Sequence, residues 1–326
     1  MKTTNLAGVS FPVSKICLGT AFFGTRESEE TAYAILDHYF EKGGRFFNTA
    51  HEYGLGKSET VLGNWIRTRG VRDQIVVTTK GGEDVFSRET HYAAMHHDDL
   101  LQDMDESLTR LGIDHVDFYM IHLDDPTVSP AEILETLEEL KKAGKLLHYG
   151  CSNWSVQRQQ EAADYAKAHG LEGFLLDENE FNLAYNTPER HISCTAVDAA
   201  YVAFYEKENR NLAGYSPLAG GTLTKLVKDG DDRNWHPECL GWYSNEYTYE
   251  VGRRLKKLCE ETGWSPTQIQ LSWLLNPPYR FSSFLIIGAS KPAQLDDALQ
   301  ALDLQLTPEM TAFLRPKLED YPKIYR

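Results

Sequence analysis

Short apolar runs alternate along this chain with longer segments in which apolar residues recur every three or four positions. The short runs are rich in β-branched and aromatic residues, which is typical of strands covered on both faces. They predict eight strands, at Lys15–Leu18, Arg45–Asn48, Gln74–Lys80, Val116–His122, Leu146–Ser152, Phe174–Glu178, Asn211–Tyr215 and Phe284–Ile287. The longer segments predict helices at Glu29–Glu41, Glu59–Arg69, Asp98–Arg110, Pro130–Ala143, Val156–Ala168, Ala196–Asn209 and Thr267–Leu275.

Eight strands that alternate with helices predict an α/β protein with a closed (β/α)8 TIM barrel. An open doubly wound sheet would favour a GxGxxG motif after the first strand, and no such motif follows it. The opening residues Leu6–Gly19 predict a short N-terminal hairpin that closes one end of the barrel. No linker, repeat or low-complexity tract divides the chain, so we expect a single domain over residues 1–326.

The segment Val227–Tyr249 interrupts this alternation and is the longest part of the chain that we predict to be irregular. Long loops inside compact domains are often functional. Its aromatic side chains fit two interpretations equally well: they line a substrate site, or they form a hydrophobic plug that holds the loop down. These side chains are Trp235, Trp242, Tyr243 and Tyr247.

The chain has 326 residues, 41% of them hydrophobic, and a formal net charge of −15. This charge argues against nucleic acid and anionic membrane surfaces as main partners, although a local basic pocket for a phosphate is compatible with it. No signal-peptide core and no apolar run of transmembrane length are visible. The five cysteines are scattered and form no CxxC pair, so we predict reduced thiols in a cytoplasmic protein.

Polar side chains follow three successive predicted strands. Asn48, with Tyr53 beyond it, ends the second strand, Lys80 the third and His122 the fourth. In a barrel these strand ends meet on one face. A lysine ammonium beside a phenol favours the phenolate and lowers the tyrosine pKa, and a histidine can orient a carbonyl oxygen. Each residue alone also fits a structural or surface role, but the set in barrel order predicts a proton-donating site.

Several ordered motifs connect these residues to a known family. They read FFNTAHEYGLGKSE, SLTRLGIDHVDFYMIHLDD, GKLLHYGCSNW, ENEFNL, AGYSPLAGGTLT and IIGASKPAQLDDAL. With these motifs the chain resembles the aldo-keto reductase superfamily from about Leu6 to Leu302. The resemblance implies a (β/α)8 reductase that binds NADP(H) at the C-terminal face of the barrel and acts on a small-molecule carbonyl or alcohol substrate.

The resemblance also implies roles for individual residues. Tyr53 corresponds by position to the general acid, Lys80 to the partner that lowers its pKa, and His122 to the residue that orients the carbonyl. Ser152 and Asn153 correspond to the pair that holds the nicotinamide carboxamide. The other cofactor contacts that the resemblance implies are Gly19, Thr20, Tyr215, Ser216, Leu218 and Gly220.

Two positions depart from the family pattern. Asn48 stands where the family has an aspartate, so it adds no negative charge beside Lys80. A less neutralised Lys80 would lower the pKa of Tyr53 further, but a buried lysine without a counter-ion tends to lose its own proton. Glu178 stands where a glutamine is usual beside the carboxamide, and its charge would stabilise oxidised nicotinamide. We expect slowed chemistry or a tilt toward oxidation, and ordinary sequence drift is an equally good explanation.

The segment predicted to face the adenosine end lacks the usual arginine. Ser290, Lys291 and Gln294 are the candidates for a 2′-phosphate contact. A single lysine is a weaker phosphate ligand than a bidentate arginine. NADP(H) is therefore the expected cofactor by resemblance, and NAD(H) is a real alternative.

Three functional hypotheses follow. The first is a nicotinamide-dependent oxidoreductase, whose substrate could be a sugar because the predicted aromatic loop would suit pyranose faces. The second is a weakly active or non-catalytic cofactor-binding sensor or regulatory protein, suggested by Asn48 and Glu178. The third is a metal-dependent barrel hydrolase built from His96, His97, His122, Asp124 and Asp125. Reaction direction and oligomeric state are left open by the sequence.

Overall fold

The protein begins with a short hairpin that precedes a closed barrel. The computed structural model describes residues 1–83, 94–187, 194–276, 280–317 and 320. Strand β1 (Thr3–Thr4) pairs antiparallel with β2 (Val13–Ser14). The predicted N-terminal hairpin is confirmed, but its first arm begins before Leu6, and the residues after Lys15 belong to the barrel instead.

Eight parallel strands form the barrel, and the prediction of a (β/α)8 fold is confirmed. The last strand pairs with both the first barrel strand and its own predecessor, so the sheet has no free edge. The strands are β3 (Ile16–Gly19), β4 (Phe46–Asn48), β5 (Val76–Gly81), β6 (Val116–Ile121), β7 (Leu146–Ser152), β8 (Leu176–Glu178), β9 (Asn211–Gly214) and β10 (Ser283–Ile287).

Helices surround the barrel, and most begin at a side chain that caps their first backbone N–H groups. Ser129, for example, accepts a hydrogen bond from Glu132, and Pro130 occupies the first helical turn. The described part of the chain contains α1 (Glu29–Glu41), α2 (Lys57–Arg69), α3 (His97–Leu111), α4 (Pro130–Lys142), α5 (Val156–His169), α6 (Ala199–Glu208), α7 (Thr222–Asp229), α8 (Pro237–Tyr243), α9 (Glu246–Thr262), α10 (Pro266–Leu275), α11 (Pro292–Gln300) and α12 (Pro308–Leu314). None of these helices has the length and apolar content needed to cross a bilayer.

The segment that we predicted to be irregular is mostly helical, so that prediction was wrong. The segment contains α8, whose seven residues are too few to show a readable periodicity, and the first turn of α9, a 17-residue helix that begins after the cap Asn245 and was not predicted. Trp235, Tyr243 and Tyr247 are buried and pack into the main core. Of the two interpretations, the hydrophobic plug is correct, since none of these aromatic residues borders the large cavity described below.

Two apolar layers account for the positions of the strand residues. One layer fills the interior of the barrel, and the other lies between the strands and the helices. Side chains alternate between the layers along each strand, so Val76, Thr78 and Lys80 of β5 share a face. Val76 belongs to the interior layer, and Lys80 is the polar residue that follows on the same face near the carboxyl end of the strand. The barrel register therefore directs the Lys80 side chain inward.

Candidate active site

The carboxyl ends of the barrel strands open into a cavity of about 1850 Å³. Most residues predicted for the site border it: Gly19, Asn48, Tyr53, Lys80, His122, Ser152, Asn153, Glu178, Tyr215, Ser216, Leu218, Gly220, Ser290 and Gln294. Thr20 and Lys291 do not. Thr20 is fully buried and bonds the Ser58 hydroxyl at 2.7 Å, and Lys291 is an exposed residue at the start of α11.

Tyr53 lies in a tight loop between β4 and α2. The three residues that follow it, Gly54, Leu55 and Gly56, all have a positive φ, between 56° and 82°. This left-handed run is accessible mainly because two of its members are glycines. The Tyr53 carbonyl then accepts from the backbone N–H of Ser58 at 3.2 Å, inside the first turn of α2. The loop therefore holds the phenol at a fixed distance from the barrel mouth.

The ammonium of Lys80 is the centre of the polar network at the bottom of the cavity. Its Nζ donates to the Asn48 side-chain oxygen at 2.8 Å, to the Thr49 carbonyl at 3.0 Å and to the Tyr53 hydroxyl at 3.2 Å. It also lies 3.3 Å from a carboxylate oxygen of Glu178. Lys80 and Glu178 are only 2% and 1% exposed, so this is a fully buried ion pair.

This ion pair corrects the expectation that Lys80 lacks a counter-ion. Glu178 reaches across the barrel from β8, and its second oxygen accepts from the Asn48 amide at 2.7 Å. That amide also donates to the Thr78 hydroxyl at 2.8 Å. The negative charge missing from the end of β4 is therefore present on β8. The sequence could not show this, because it depends on the distance between strands that are not neighbours.

Burial and charge act in opposite directions on the two titratable groups at the centre. For Lys80, burial works against the charged form, but Glu178 and Tyr53 together outweigh it and raise the pKa above the usual value. Burial is also the largest influence on Tyr53 and raises its pKa, while the Lys80 ammonium counteracts this only in part. Lys80 lowers the pKa of Tyr53, as expected, but by less than burial raises it, so the phenol is protonated at neutral pH.

A second polar cluster lies on the other side of Tyr53. The His122 ring meets the Tyr53 ring edge to face, with ring centres 5.8 Å apart. Its Nδ1 lies 3.1 Å from a Glu83 oxygen and 3.6 Å from a Glu52 oxygen. The two carboxyl groups are hydrogen-bonded to each other. Burial and the neighbouring Glu83 raise the pKa of Glu52, although His122 counteracts them, so the Glu52 carboxyl keeps its proton to a higher pH than an exposed glutamate.

Sequence reasoning missed these two glutamates, although a signal was present. Glu52 immediately precedes the predicted acid Tyr53, and Glu83 follows Lys80 by three residues. Both positions therefore had to lie near the mouth of the barrel once the strands were placed. What the sequence did not show is that their carboxyl groups would meet each other beside His122.

The five residues considered for a metal-dependent hydrolase do not come together. His122, Asp124 and Asp125 border the cavity, but His96 and His97 are exposed at the start of α3. Both of these histidines pair with carboxylates of α4, 2.9 Å away. The Asp124 carboxylate is held by an arginine of α5 at 3.0 Å. That hypothesis is therefore wrong in its ligand set.

Comparison with known proteins identifies the family. The model of the aldo/keto reductase family matches residues 15–319. The chain belongs to the aldo/keto reductase family. It is 30% identical to norsolorinic acid reductase stcV of Emericella nidulans, over 93% of this chain and 77% of that protein. It is 28% identical to an aryl-alcohol dehydrogenase [NADP(+)] of Phanerodontia chrysosporium, over 94% of this chain and 83% of the relative.

A relative with a different kind of name is also similar. A putative voltage-gated potassium channel subunit beta of Schizosaccharomyces pombe is 28% identical over 84% of this chain and 80% of its own length. Together with the family match, the oxidoreductases among the relatives identify this aldo/keto reductase as an NAD(P)-dependent oxidoreductase. Small-molecule carbonyl compounds are the substrates that the family acts on.

The cavity of this aldo/keto reductase fits a dinucleotide. Gly221 and Gly288 border it, and a Cβ atom on either would meet no other atom within 4 Å. Gly221 also begins α7 without a side-chain cap, so the first N–H groups of that helix are suited to a phosphate. These donors suit a diphosphate.

The residues predicted to face the nicotinamide lie together between β7, β8 and β9. Ser152 donates to the Glu178 carbonyl at 2.8 Å, and Asn153 follows it with a φ of 62°. The Asn153 side-chain oxygen accepts from the Tyr215 hydroxyl at 2.7 Å. Ser216, directly after Tyr215, also has a positive φ, 49°. Strained backbone of this kind concentrates at functional sites, because ligand geometry and not local preference determines it.

Proposed function

We propose that Tyr53 is the general acid and base of a hydride-transfer reaction between NADP(H) or NAD(H) and a carbonyl or alcohol. The observation that carries this proposal is the 3.2 Å hydrogen bond from Lys80 to the Tyr53 hydroxyl. The bound nicotinamide supplies or accepts the hydride. In the reducing direction, Tyr53 gives its proton to the carbonyl oxygen. The phenolate that remains is stabilised by the ammonium 3.2 Å away.

The protonation state of the free site supports a role in reduction. Because the pKa of Tyr53 is raised, the phenol carries its proton at neutral pH and can donate it. In the oxidising direction the same group must first lose that proton, so we expect the oxidation rate to rise with pH. We assign His122 to orient the substrate oxygen through Nε2, since Nδ1 is used by Glu83.

We assign the cofactor contacts along the floor of the cavity. Ser152, Asn153 and Tyr215 would bind the nicotinamide, and Gly19, at the end of β3, would contact another part of the cofactor, since it also borders the cavity. Ser216, Leu218 and Gly220 would bind the diphosphate next to α7. Ser290 and Gln294 would bind the adenosine end, where Gln294 already accepts from the Ser290 backbone at 2.7 Å.

The choice between the two dinucleotides depends on the adenosine end. Lys291, the predicted phosphate ligand, is exposed and does not border the cavity, whereas Lys225 and Asp297 do. One lysine with a nearby carboxylate is a poor site for a 2′-phosphate dianion. We therefore propose that this reductase accepts NAD(H) as well as NADP(H). Titration of the purified protein with NADPH and NADH gives the ratio of the two dissociation constants directly.

For the substrate, we propose an uncharged, hydroxylated carbonyl compound or the corresponding alcohol, a class that includes sugars. The aromatic loop no longer supports this, since its side chains are buried elsewhere. Support comes from the carboxyl groups that border the cavity, which accept hydrogen bonds from hydroxyls and repel anions. Besides Glu178 and Asp297, these groups belong to Glu27, Glu52, Glu83, Asp124 and Asp125.

The second candidate function is a sensor or regulatory protein that binds cofactor with little turnover. The similarity to the putative channel subunit favours it. The retained contacts among Tyr53, Lys80 and His122 favour an enzyme instead. The deciding experiment is a screen of sugars, polyols and aldehydes in both directions with each cofactor. Tight cofactor binding without turnover across the panel would support the sensor.

The role of Tyr53 is tested by Tyr53→Phe. We expect kcat to fall by about 10²–10⁴-fold while the cofactor dissociation constant changes little. Tyr165→Phe is the matched control, because Tyr165 lies on the exterior of α5 and bonds Glu135. A Tyr53→Phe protein that keeps the wild-type rate would overturn the proposal.

A further inference from the structure

The charge beside Lys80 comes from a different strand than the family pattern predicts. We infer that Glu178 is the positioning residue that keeps Lys80 charged and in contact with Tyr53, and that its carboxylate has exchanged places with the amide at position 48. The family pattern has a carboxylate on the second barrel strand and an amide on the sixth. This chain has the amide of Asn48 and the carboxylate of Glu178. The inference rests on the proposed role of Tyr53.

The geometry closes a three-membered ring of contacts. Lys80 donates to Asn48 at 2.8 Å and lies 3.3 Å from Glu178, and Asn48 donates to Glu178 at 2.7 Å. Each hydrogen on a nitrogen in the ring faces an oxygen. Exchanging the amide and the carboxylate between the two positions would keep one positive charge, one negative charge and the same number of contacts.

The two positions are therefore coupled. If Asn48→Asp is introduced alone, two carboxylates face each other across a buried 2.7 Å contact, and one of them must take up a proton or move away. If Glu178→Gln is introduced alone, Lys80 is buried with no anion in contact. Both single changes damage the site, while the two together rebuild it with the charge on the other strand.

The location of the charge has a second consequence. Glu178 and Ser152 border the same cavity, and the Ser152 hydroxyl donates to the Glu178 carbonyl. The relocated anion thus lies on the side where we place the nicotinamide, and it stabilises the positively charged oxidised ring relative to the neutral reduced ring. The double exchange would move the anion back toward β4 and weaken this preference.

The test is a cycle of four proteins: wild type, Asn48→Asp, Glu178→Gln and the double variant. We measure kcat and kcat/KM from pH 6 to 10, and the dissociation constants of oxidised and reduced cofactor by fluorescence. We expect each single variant to lose at least about tenfold in kcat and the double variant to return to within about threefold of wild type. We also expect the preference for oxidised over reduced cofactor, measured as the ratio of their dissociation constants, to be several-fold weaker in the double variant than in wild type.

Glu59→Gln is the matched control. Glu59 is a fully buried carboxylate paired with Arg110 at 3.3 Å, but it lies outside the cavity. Its substitution should leave the pH profile and the ratio of cofactor affinities unchanged, even where it lowers stability. For a single variant that folds but turns over too slowly to assay, the cofactor dissociation constants provide the comparison with wild type.

Additive losses in the double variant would overturn the inference, as would an unchanged pH profile in Glu178→Gln. If a single variant does not fold, Glu178→Asp provides the comparison, since it keeps the charge and should keep the pH profile. These outcomes are separate from the test of Tyr53. An inactive Tyr53→Phe protein with an additive cycle would leave the proposed function standing and remove only the role of Glu178.

Discussion

Two carboxylate environments flank Tyr53, and they differ in what each glutamate faces. On the barrel side, Glu178 faces the ammonium of Lys80 at 3.3 Å and is almost inaccessible. On the solvent side, Glu52 faces a second carboxyl group, and its own pKa is raised. The same residue type thus accompanies a cation in one place and a second carboxyl group in the other. Burial is the largest influence on the pKa of Glu52 and raises it, and the neighbouring Glu83 adds to this effect while His122 opposes it.

This difference separates two requirements of the proposed chemistry. The barrel side keeps a cation beside the phenol, because the raised pKa of Lys80 keeps its ammonium charged near neutral pH. The solvent side can take up or release a proton next to His122 and the substrate. The cavity therefore combines a rigid acid with a pH-responsive wall.

Removing the cation should produce the largest effect on stability. Lys80→Met leaves the Glu178 carboxylate buried without a partner, and breaking such a pair costs about 3–5 kcal/mol of unfolding free energy. Urea denaturation measures it. Adding Glu178→Gln should recover more than half of the loss, because no buried charge then remains.

The matched control for that experiment is the surface pair of Lys207 and Glu208. Their side chains are 64% and 27% exposed, and the nitrogen and oxygen lie 3.0 Å apart. Lys207→Met should cost only about 0–1 kcal/mol. Equal losses at the two sites would show that Lys80 and Glu178 behave as an ordinary surface pair.

The solvent side should respond in the opposite direction. Because the pKa of Glu52 is higher in the fold than its unfolded value of 4.5, this group favours folding below pH 4.5. That contribution is lost as the pH rises through the folded-state pKa. Glu52→Gln should therefore raise the melting temperature at pH 7 to 8, and the gain should vanish near pH 4.

Thermal melts across this pH range provide the measurement, and each unit of pKa shift corresponds to about 1.4 kcal/mol. Glu261→Gln is the control, because Glu261 is exposed on α9 and forms an exposed ion pair with Lys257. A gain that persists at pH 4, or a loss at pH 7, would contradict the raised pKa of Glu52.

The smallest effect concerns substrate charge. Glu52→Gln combined with Glu83→Gln removes the negative charge of the carboxyl pair beside His122 and should increase kcat/KM for anionic relative to uncharged aldehydes by about tenfold, or about 1.4 kcal/mol. The rate with uncharged aldehydes should change less. If the ratio of the two rate constants stays the same, the acidic wall does not select the substrate.

The sequence predicted the barrel well because each strand is encoded locally. Runs such as that at Val76–Gly81 are rich in β-branched residues, and each barrel strand overlaps its predicted run. The failure after Val227 has two parts. Helix α8 has only seven residues, so a periodic pattern has no room to develop. Helix α9 has 17 residues and was missed although its length allows such a pattern.

Most members of the site were predictable from the sequence, but the contacts between them were not. The predicted acid, lysine and histidine do border one cavity. The contact between Asn48 and Glu178 joins β4 and β8, 130 residues apart in sequence, and only the closed barrel brings them together. The sequence also could not show whether burial or the Lys80 charge has the larger effect on the pKa of Tyr53, because the balance depends on how deeply the phenol is buried.

The shared face of Val76, Thr78 and Lys80 has a consequence for how this protein could change over generations. The register of β5 determines both which side chains fill the barrel interior and how close the Lys80 ammonium lies to the mouth of the barrel. A single-residue insertion within β5 would turn the ammonium outward among the helices and expose the interior layer to the wrong side chains. Loops around the mouth are free of this constraint. New substrates can therefore be acquired by altering loops other than the one that carries Tyr53, while Lys80, the proposed partner of the acid, is inherited unchanged with the core.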